Sequence, residues 1–589
     1  MPNEKNEEYG KKALPILQKY LDDFDQPVRI SEGYDFVQPD MIAKIELYRA
    51  SQFLSGPVDS QGNKKYFFNI LNAQVGNATK NIDLDTKDIL IKSEDGADRM
   101  KAMLARELLM KWMADHKFGL LLNKLSEYLP AYGSFVVKKT PEGINYVPLK
   151  RLRFDPAIED LQKSPYVIEE LYFQPYELEK MKDKGWSVEC IDEIVEASRK
   201  AKQPQICVYE VHSEFPNEIL GLGKKGYSRA VCYIATVGDV RSQDKQNIVP
   251  NEVLYSKVEK EFPYKKMNYI NIDGRALGLG IYEMNLDAQE RWNEIQNQKS
   301  SSMKISSKKL FWTADEMVES NVLTDLLNGD VIKSKNGLNP VASEERNLAA
   351  YNQEQSIIMD SVRSNSNAFE VLTGEGLPSG TPYRLGAMMN QNAGKLFEFI
   401  RENIGLFIQE IVEDWILPDF KKEIVKEQIF EIFDAELIDE LMTSDINRRL
   451  NEALKKFVII NGTYPTQDEV ELLRGKMKDM SRESEFVKVI EGFLNFDFGI
   501  KVVVTDENYN VNARVETTSN MIQLLAQNPQ IMQDPQLKKL VLSMAEDTGL
   551  SPRLLSGTGA PVAQAPALNQ IGGMNASGMM SGSAPLAKG

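Results

Sequence analysis

Histidine is nearly missing from this chain: His116 and His212 are the only two among 589 residues. They lie far apart, and the three cysteines, Cys190, Cys207 and Cys232, include no Cys-x-x-Cys pair. A zinc site has little to be built from. Three cysteines also make a poor disulfide framework, as expected of a chain that folds in a reducing cytoplasm. His116 ends a helical run and His212 alternates within a strand, so both read as structural. Positive charge is short as well: 70 Lys+Arg stand against 86 Asp+Glu, a formal net charge of −16. Tight sequence-independent DNA binding needs Lys and Arg to displace counterions from phosphates, and this balance argues against it. DNA passing nearby without sticking is compatible with it.

Long apolar runs are missing too. The most apolar helix, Ile404 to Leu417, is interrupted by Gln409, Glu410, Glu413 and Asp414. No stretch reaches the roughly 18 uncharged residues of a membrane span, so no membrane partner is expected. The start, MPNEKNEEYGKK, lacks the apolar run of a secretory signal. There is no G-x-x-x-x-G-K-[ST] loop, which removes the simplest ATPase reading. GLGKKG at 221–226 has no Ser or Thr after its lysines, and GRALGLG at 274–280 has the wrong spacing for a dinucleotide fingerprint. The latter reads as a turn with flexible glycines. Nothing among the 86 carboxylates singles out a catalytic or two-metal cluster. The expectation is a protein with no catalytic residues, no metal and no cofactor.

What is present is a series of patterned segments, in a length that suggests about four domains. Residues 9–50 look helical, with Leu14, Leu17, Tyr20 and Leu21 on one face. DLDTKDILIK near residue 90 alternates like a short strand. A helix is expected from Asp95 to about Tyr128, burying Met103, Leu104, Leu108, Trp112 and Met113. GSFVVKKTPEGINYVPL reads as a β-hairpin with RLRFDP as its exit. Pro165 to Phe173 is a strand, 175–186 a short helix ending at Gly185, and 206–215, 228–243 and 253–264 are consecutive antiparallel strands.

The stretch from Leu279 to Lys422 is the most ordered in its pattern. Ile281, Met284, Ala288, Trp292 and Ile295 step by three and four along one helix whose other faces are polar. Lys304, Lys308 and Lys309 follow it; they are either contacts for phosphate or an acidic partner, or a solvated helix end. KKLFWT and GDVIKS read as short strands around a small helix. A second helix opens at Ser343 as N-cap, with Leu348, Tyr351, Ile358, Val362 and Phe369 on a thin apolar face. TGEGLPSGTP (373–382) cannot be helix; it is an ordinary connection or a loop that moves for a function. A long amphipathic helix then runs from Leu385 to Trp415, with Pro418 stopping it. Residues 424–490 look helical, FDFGIKVVVTDE (496–507) a buried strand, and two helices follow. The uncharged Gly/Ala/Ser/Pro/Met tail reads as disordered.

This order of elements resembles the portal, or head-to-tail connector, protein of tailed double-stranded DNA bacteriophages. YGSFVVKKTPEGINYVPLKRLRFDP and VYEVHSEFP look like its wing, and GRALGLGIYEMNLDAQERWNEIQNQ like the entry and first stem helix. The resemblance implies an α+β, mainly helical fold assembled as a ring. It places the N-terminal helix and wing at 1–278, stem helices at 279–305 and 343–372, and a small α/β clip at 306–342. A tunnel loop falls at 373–383, a wing helix with wing- or crown-side segment at 384–507, crown helices at 508–556, and the disordered tail at 557–589. Stem packing falls to Ile281, Met284, Trp292, Ile295, Ile358 and Val362. The DNA-facing loop is Gly374, Glu375, Gly376, Leu377, Pro378, Ser379, Gly380, Thr381, Pro382 and Tyr383, and Lys304, Lys308 and Lys309 are candidate basic contacts of tunnel or clip.

The family's function would follow: a channel at one capsid vertex through which DNA is packaged and ejected. The implied partners are further copies, usually twelve in all, double-stranded DNA, the terminase large subunit, adaptor and tail proteins, and the major capsid and scaffolding proteins. The implied location is the virion, with assembly in the host cytoplasm. Twelve copies would carry roughly −190 formal charges, and an acidic wall repels phosphate. The polar stem helices cannot bury themselves alone, so neighbouring copies are expected to complete them. The competing readings are a capsid or tail scaffold or adaptor, and a packaging enzyme.

Overall fold

Helix α1 (Asn3–Asp25) shows how this chain builds outward from simple periodicities. Ala13, Leu17, Leu21 and Phe24 recur at helical spacing and are all buried. The computed structural model describes residues 3–58, 62, 64–86, 89–91, 99–202, 205–223, 225–237, 253–306, 311–312, 339–340, 348–366, 383–418, 450–451, 453–460, 465–478 and 500–502. It divides into two units, Met1–Val504 and Thr505–Gly589, and everything below concerns the first. The expected crown helices and tail lie outside the described residues, as do Ser343 and most of 306–342 and 424–490.

The 9–50 stretch is not one helical region. A hairpin of β1 (Val28–Ser31) and β2 (Tyr34–Phe36) separates α1 from α2 (Gln38–Arg49). Next come α3 (Leu71–Ile82) and β3 (Ile89–Ile91). The helix expected over 95–128 is two helices, α4 (Arg99–Asp115) and α5 (Phe118–Tyr132). The break falls at Lys117, whose φ of 52° is left-handed. There His116 stacks on Trp112 at 4.3 Å, and the reversal drives Phe118 into the core. The hairpin β4 (Ser134–Thr140) and β5 (Gly143–Tyr146) stands where its alternation placed it.

RLRFDP is more than an exit: β6 (Leu152–Phe154) pairs with β7 (Tyr166–Phe173). After α6 (Pro175–Lys180) comes α7 (Val188–Ala201), capped by Ser187, which the pattern reading passed over. Then follow β8 (Ile206–Pro216), β9 (Tyr227–Thr236) and β10 (Val253–Val258). These form an antiparallel sheet in the order β10-β9-β8-β7-β6. The expected strand 253–264 ends at Val258. Its continuation, β11 (Tyr264–Asn268), joins a different sheet in the order β11-β4-β5.

Period-two alternation gives the five-stranded sheet two buried faces. Tyr166, Ile168, Val211, Phe215, Ala230, Cys232 and Ile234 meet Ala13, Leu17 and Leu21 of α1. On the opposite face Ile206, Val208 and Ala235 pack under Leu178 of α6 and Ile191, Ile194 and Val195 of α7. Farther along that second face, Glu169, Glu210 and His212 point at the three-stranded sheet.

The remaining elements surround the largest core. The single helix expected through Ile281–Ile295 is α8 (Ile281–Met284) followed, after a break at Asn285, by α9 (Leu286–Ser306). A two-residue ladder, β12 (Phe311–Trp312) against β13 (Asn339–Pro340), precedes α10 (Leu348–Asn365). Helix α11 (Tyr383–Ile411) buries Phe397, Ile400, Ile404, Phe407, Ile408 and Ile411, then widens into a π-helical turn over Val412–Ile416. Past a short helix, α12 (Gln467–Lys478), β14 (Ile500–Val502) pairs antiparallel with β3. The fold is α+β, with every strand pairing among the described residues antiparallel. No helix among them is long and apolar enough to cross a membrane.

Candidate functional site at the root of the helix pair

Helices α9 and α10 run antiparallel, as their cross-links show. Lys299 Nζ donates to Asn352 Oδ1 (2.6 Å), Arg291 Nε to Glu354 Oε1 (2.8 Å), and Asn285 Nδ2 to Ser366 Oγ (3.3 Å). Ile281 and Val362 are fully buried in the largest core, Met284, Trp292 and Ile358 pack half-buried against it, and Ile295 is fully buried as well.

The polar face of α9 has a use within the chain. Gln289, Asn293 and Asn297 are spaced four apart and so share one stripe. They hold the backbone of an extended segment at every second residue. Ile70 N donates to Gln289 Oε1 (2.9 Å), and Gln289 Nε2 donates to Phe68 O (2.6 Å). Phe68 N donates to Asn293 Oδ1 (2.8 Å). Tyr66 N donates to Asn297 Oδ1 (2.9 Å), and Asn297 Nδ2 donates to Tyr66 O (3.0 Å). Four helical residues rise about 6 Å and two strand residues about 6.6 Å, so the repeats stay in step for three rungs. The stripe does what a neighbouring strand would do. Part of the polarity expected to need neighbouring copies is therefore satisfied inside one chain.

The root of the pair is fixed by a second set of contacts. Asn285 breaks the helix with its own amide: Nδ2 donates to Ile281 O (3.0 Å), and Oδ1 accepts from Asn365 Nδ2 (3.2 Å). Just upstream, Arg275 is almost wholly buried. Its Nη1 and Nη2 each donate to one oxygen of Glu283 at 2.7 Å. Nε donates to Leu277 O (2.7 Å), Nη1 also to Tyr34 Oη (3.0 Å), and Nη2 also to Gly278 O (3.1 Å). All five N–H groups are placed, the condition under which a buried guanidinium is tolerable. In GRALGLG, Gly274 takes the left-handed turn expected of it (φ 82°), while Gly278 and Gly280 serve close packing. A Cβ on Gly278 would lie 2.3 Å from Gly133 O, and one on Gly280 2.5 Å from Gly133 N. Two backbones touch there, where α5 ends and α8 begins.

Of the other expected contact residues, only Lys304 and Tyr383 fall within the described elements. Lys304 sits in the last turn of α9. Lys308, Lys309 and 374–382 lie outside the described residues. Tyr383 is the first residue of α11, so it belongs to the helix and not to the loop.

A buried charge cluster between the two sheets was not foreseen. Lys138 Nζ lies 2.7 Å from Glu169 Oε2 and 2.5 Å from Glu210 Oε2. His212 uses both ring nitrogens, Nε2 to Glu210 (2.9 Å) and Nδ1 to Glu259 (2.8 Å), and Tyr264 Oη donates to Glu169 (2.9 Å). Burial pushes Glu210 up, but the His212 hydrogen bond and the Lys138 charge hold it down at about 2. Burial pulls His212 down, and Glu210 and Glu259 more than restore it, leaving it above its ordinary value. With both nitrogens engaged, His212 has none free for a substrate, in keeping with a structural role. The sequence signal was there: Glu210 and His212 alternate in phase with Ile206 and Val208, on an inward face. The cysteines are free thiols, and burial raises Cys207 and Cys232 to about 12. Among the described residues no three His, Cys, Asp or Glu side chains are grouped to hold a metal ion.

No protein-family model matches the chain, and no curated protein matches it.

Proposed function

We propose that this chain is a structural, non-enzymatic subunit of a ring-shaped DNA channel of the portal type, assembled at one capsid vertex. DNA passes through the ring during packaging and ejection. Terminase, adaptor and tail proteins dock on it, and capsid and scaffolding proteins surround it. The observation that carries the reading is the helix pair. Two antiparallel helices are joined to an α+β body at a root fixed by Asn285, Arg275 and the Gly133–Gly278–Gly280 contact. A two-residue ladder lies between them in sequence, and a long amphipathic helix follows. A part fixed so firmly at its base, and polar on its outward faces, suits a wall element that must not flex as a polymer slides past. The two imidazole-nitrogen contacts of His212 favour structure over chemistry in the body.

Electron microscopy of the purified chain tests this. Rings with a central hole are expected; monomers or open filaments would overturn it. An ATPase assay supplies the complementary check, because clear turnover by the chain alone would favour a packaging enzyme. Removing 373–382 should leave rings intact and impair packaging or retention of DNA; collapse of assembly would make the loop structural instead.

A further inference from the structure

Beside the three-stranded sheet lies an open cleft of about 420 Å³, within the size range of small-molecule sites. Its walls come from the 159–162 turn, β11, Asn271 and Glu410 of α11, and they are mostly polar. We propose that this cleft binds a small, uncharged, hydroxyl-bearing aldehyde, held as a reversible imine on Lys266 Nζ. The proposal is independent of the channel reading.

Lys266 and its neighbour Lys265 both line the cleft, and their surroundings differ. Lys265 Nζ is 2.5 Å from both Glu410 Oε1 and Asp414 Oδ2, which fixes it as an ion-paired ammonium. Lys266 Nζ donates to Asn268 Oδ1 (3.1 Å) and to the Ala276 carbonyl oxygen. Those are two acceptors, both neutral. An ammonium has three N–H groups to place; a free amine has two, and both are placed here, leaving its lone pair as the third direction. Burial pushes the Lys266 amine down to about 8, against the opposing pull of Glu159 and Asp160. A desolvated lysine of this kind is the usual nucleophile for carbonyl carbons.

The lone pair adds to the aldehyde carbon, forming C–N as the C=O π bond breaks and one N–H proton passes to that oxygen. The second N–H proton then leaves with the hydroxyl as water, giving C=N and releasing the hydrogen bonds to Asn268 and Ala276, and no oxidant or reductant is needed. The ligand class follows from the lining. Glu159, Asp160 and Glu410 outnumber the two lysines, and Lys265 is already neutralised, so an anionic aldehyde is repelled. The polar walls favour hydroxyls over an alkyl chain. The Gln162 amide is spent on the Phe262 and Tyr264 backbone, so it shapes the cleft and leaves the ligand to other groups.

The test is peptide mapping of the full chain after exposure to glyceraldehyde and reductive trapping with cyanoborohydride. At pH 8 an amine of this kind is about half neutral and an ordinary lysine under about 1%. Part of that advantage is lost to lower intrinsic nucleophilicity. Lys266 should still be labelled roughly tenfold faster than exposed Lys163. Its rate should level off near pH 8. Glu159→Gln with Asp160→Asn, both exposed positions, should move the levelling point to lower pH. Pyridoxal phosphate, an anionic aldehyde, should prefer Lys163. Equal labelling of Lys266 and Lys163, a rate that climbs throughout, or preference of pyridoxal phosphate for Lys266 would each overturn the proposal. Lys266→Arg should abolish the fast label; if that variant does not fold, the map of the unaltered chain decides.

Discussion

The charge cluster between the sheets and the amide stripe of α9 both fasten distant parts of the chain through polar side chains. The cluster joins β4 and β11 to β7 and β8 with three carboxylates, a lysine and a histidine. The stripe joins α9 to residues 66–70 with neutral amides only. Ionic contacts in a dry interior carry a desolvation cost that only complete pairing offsets, so losing one partner is severe. Amides cost less to bury and hold less firmly, but no proton can loosen them. One molecule therefore contains a pH-graded fastening and a pH-blind one.

Removing Lys138 should separate the two most sharply. Lys138→Ala leaves Glu169 and Glu210 facing each other without a cation, at a cost of about 3–5 kcal/mol. Urea unfolding would read it, and a loss below about 1 kcal/mol would mean that water reaches the cluster. Gln289→Ala strands Ile70 N and Phe68 O together, and about 2–3 kcal/mol should be lost in the same assay.

The comparison sharpens with pH. Glu210 is depressed, so its contribution is complete above the ordinary 4.5 and disappears as pH falls through about 2. His212 is raised, so its contribution is complete below the ordinary 6.5 and disappears as pH rises through its folded value. His212→Gln should therefore destabilise most below about pH 6.5 and progressively less as pH rises through the folded value. The Gln289→Ala cost should stay level over the same range. A flat profile for both variants would remove the distinction. The smallest effect belongs to Asn297→Ala at the exposed end of the stripe, about 0.5–1 kcal/mol.

Both fastenings join residues far apart in sequence, which explains why neither was legible there. Periodicity marked the faces of α1 and α11 and the β4–β5 hairpin, because each carries its own repeat. Gln289, Asn293 and Asn297 carry a repeat too, but spaced polar residues on a helix look like a solvated face until the backbone at 66–70 is seen against them. Lys117 and Asn285 break helices without glycine or proline, through His116 on Trp112 and through the Asn365–Ser366 contacts. The glycines at 278 and 280 advertised a turn, while their need comes from Gly133, well over a hundred residues earlier. Among the described residues the apolar positions Ile281, Met284, Trp292, Ile358 and Val362 meet one core, because burial leaves a mark in local spacing.

The pairing of β3 with β14 has a consequence for synthesis. Ile89–Ile91 finds its partner roughly 400 residues later, at Ile500–Val502. Until the ribosome has passed that point, the strand edge beside α4 stays open, with Ile89 destined for the core but not yet sealed in it. Nascent and prematurely terminated chains thus present a sticky edge that finished ones hide. An incomplete chain therefore offers chaperones and proteases a strand edge that the finished chain covers with Ile500–Val502.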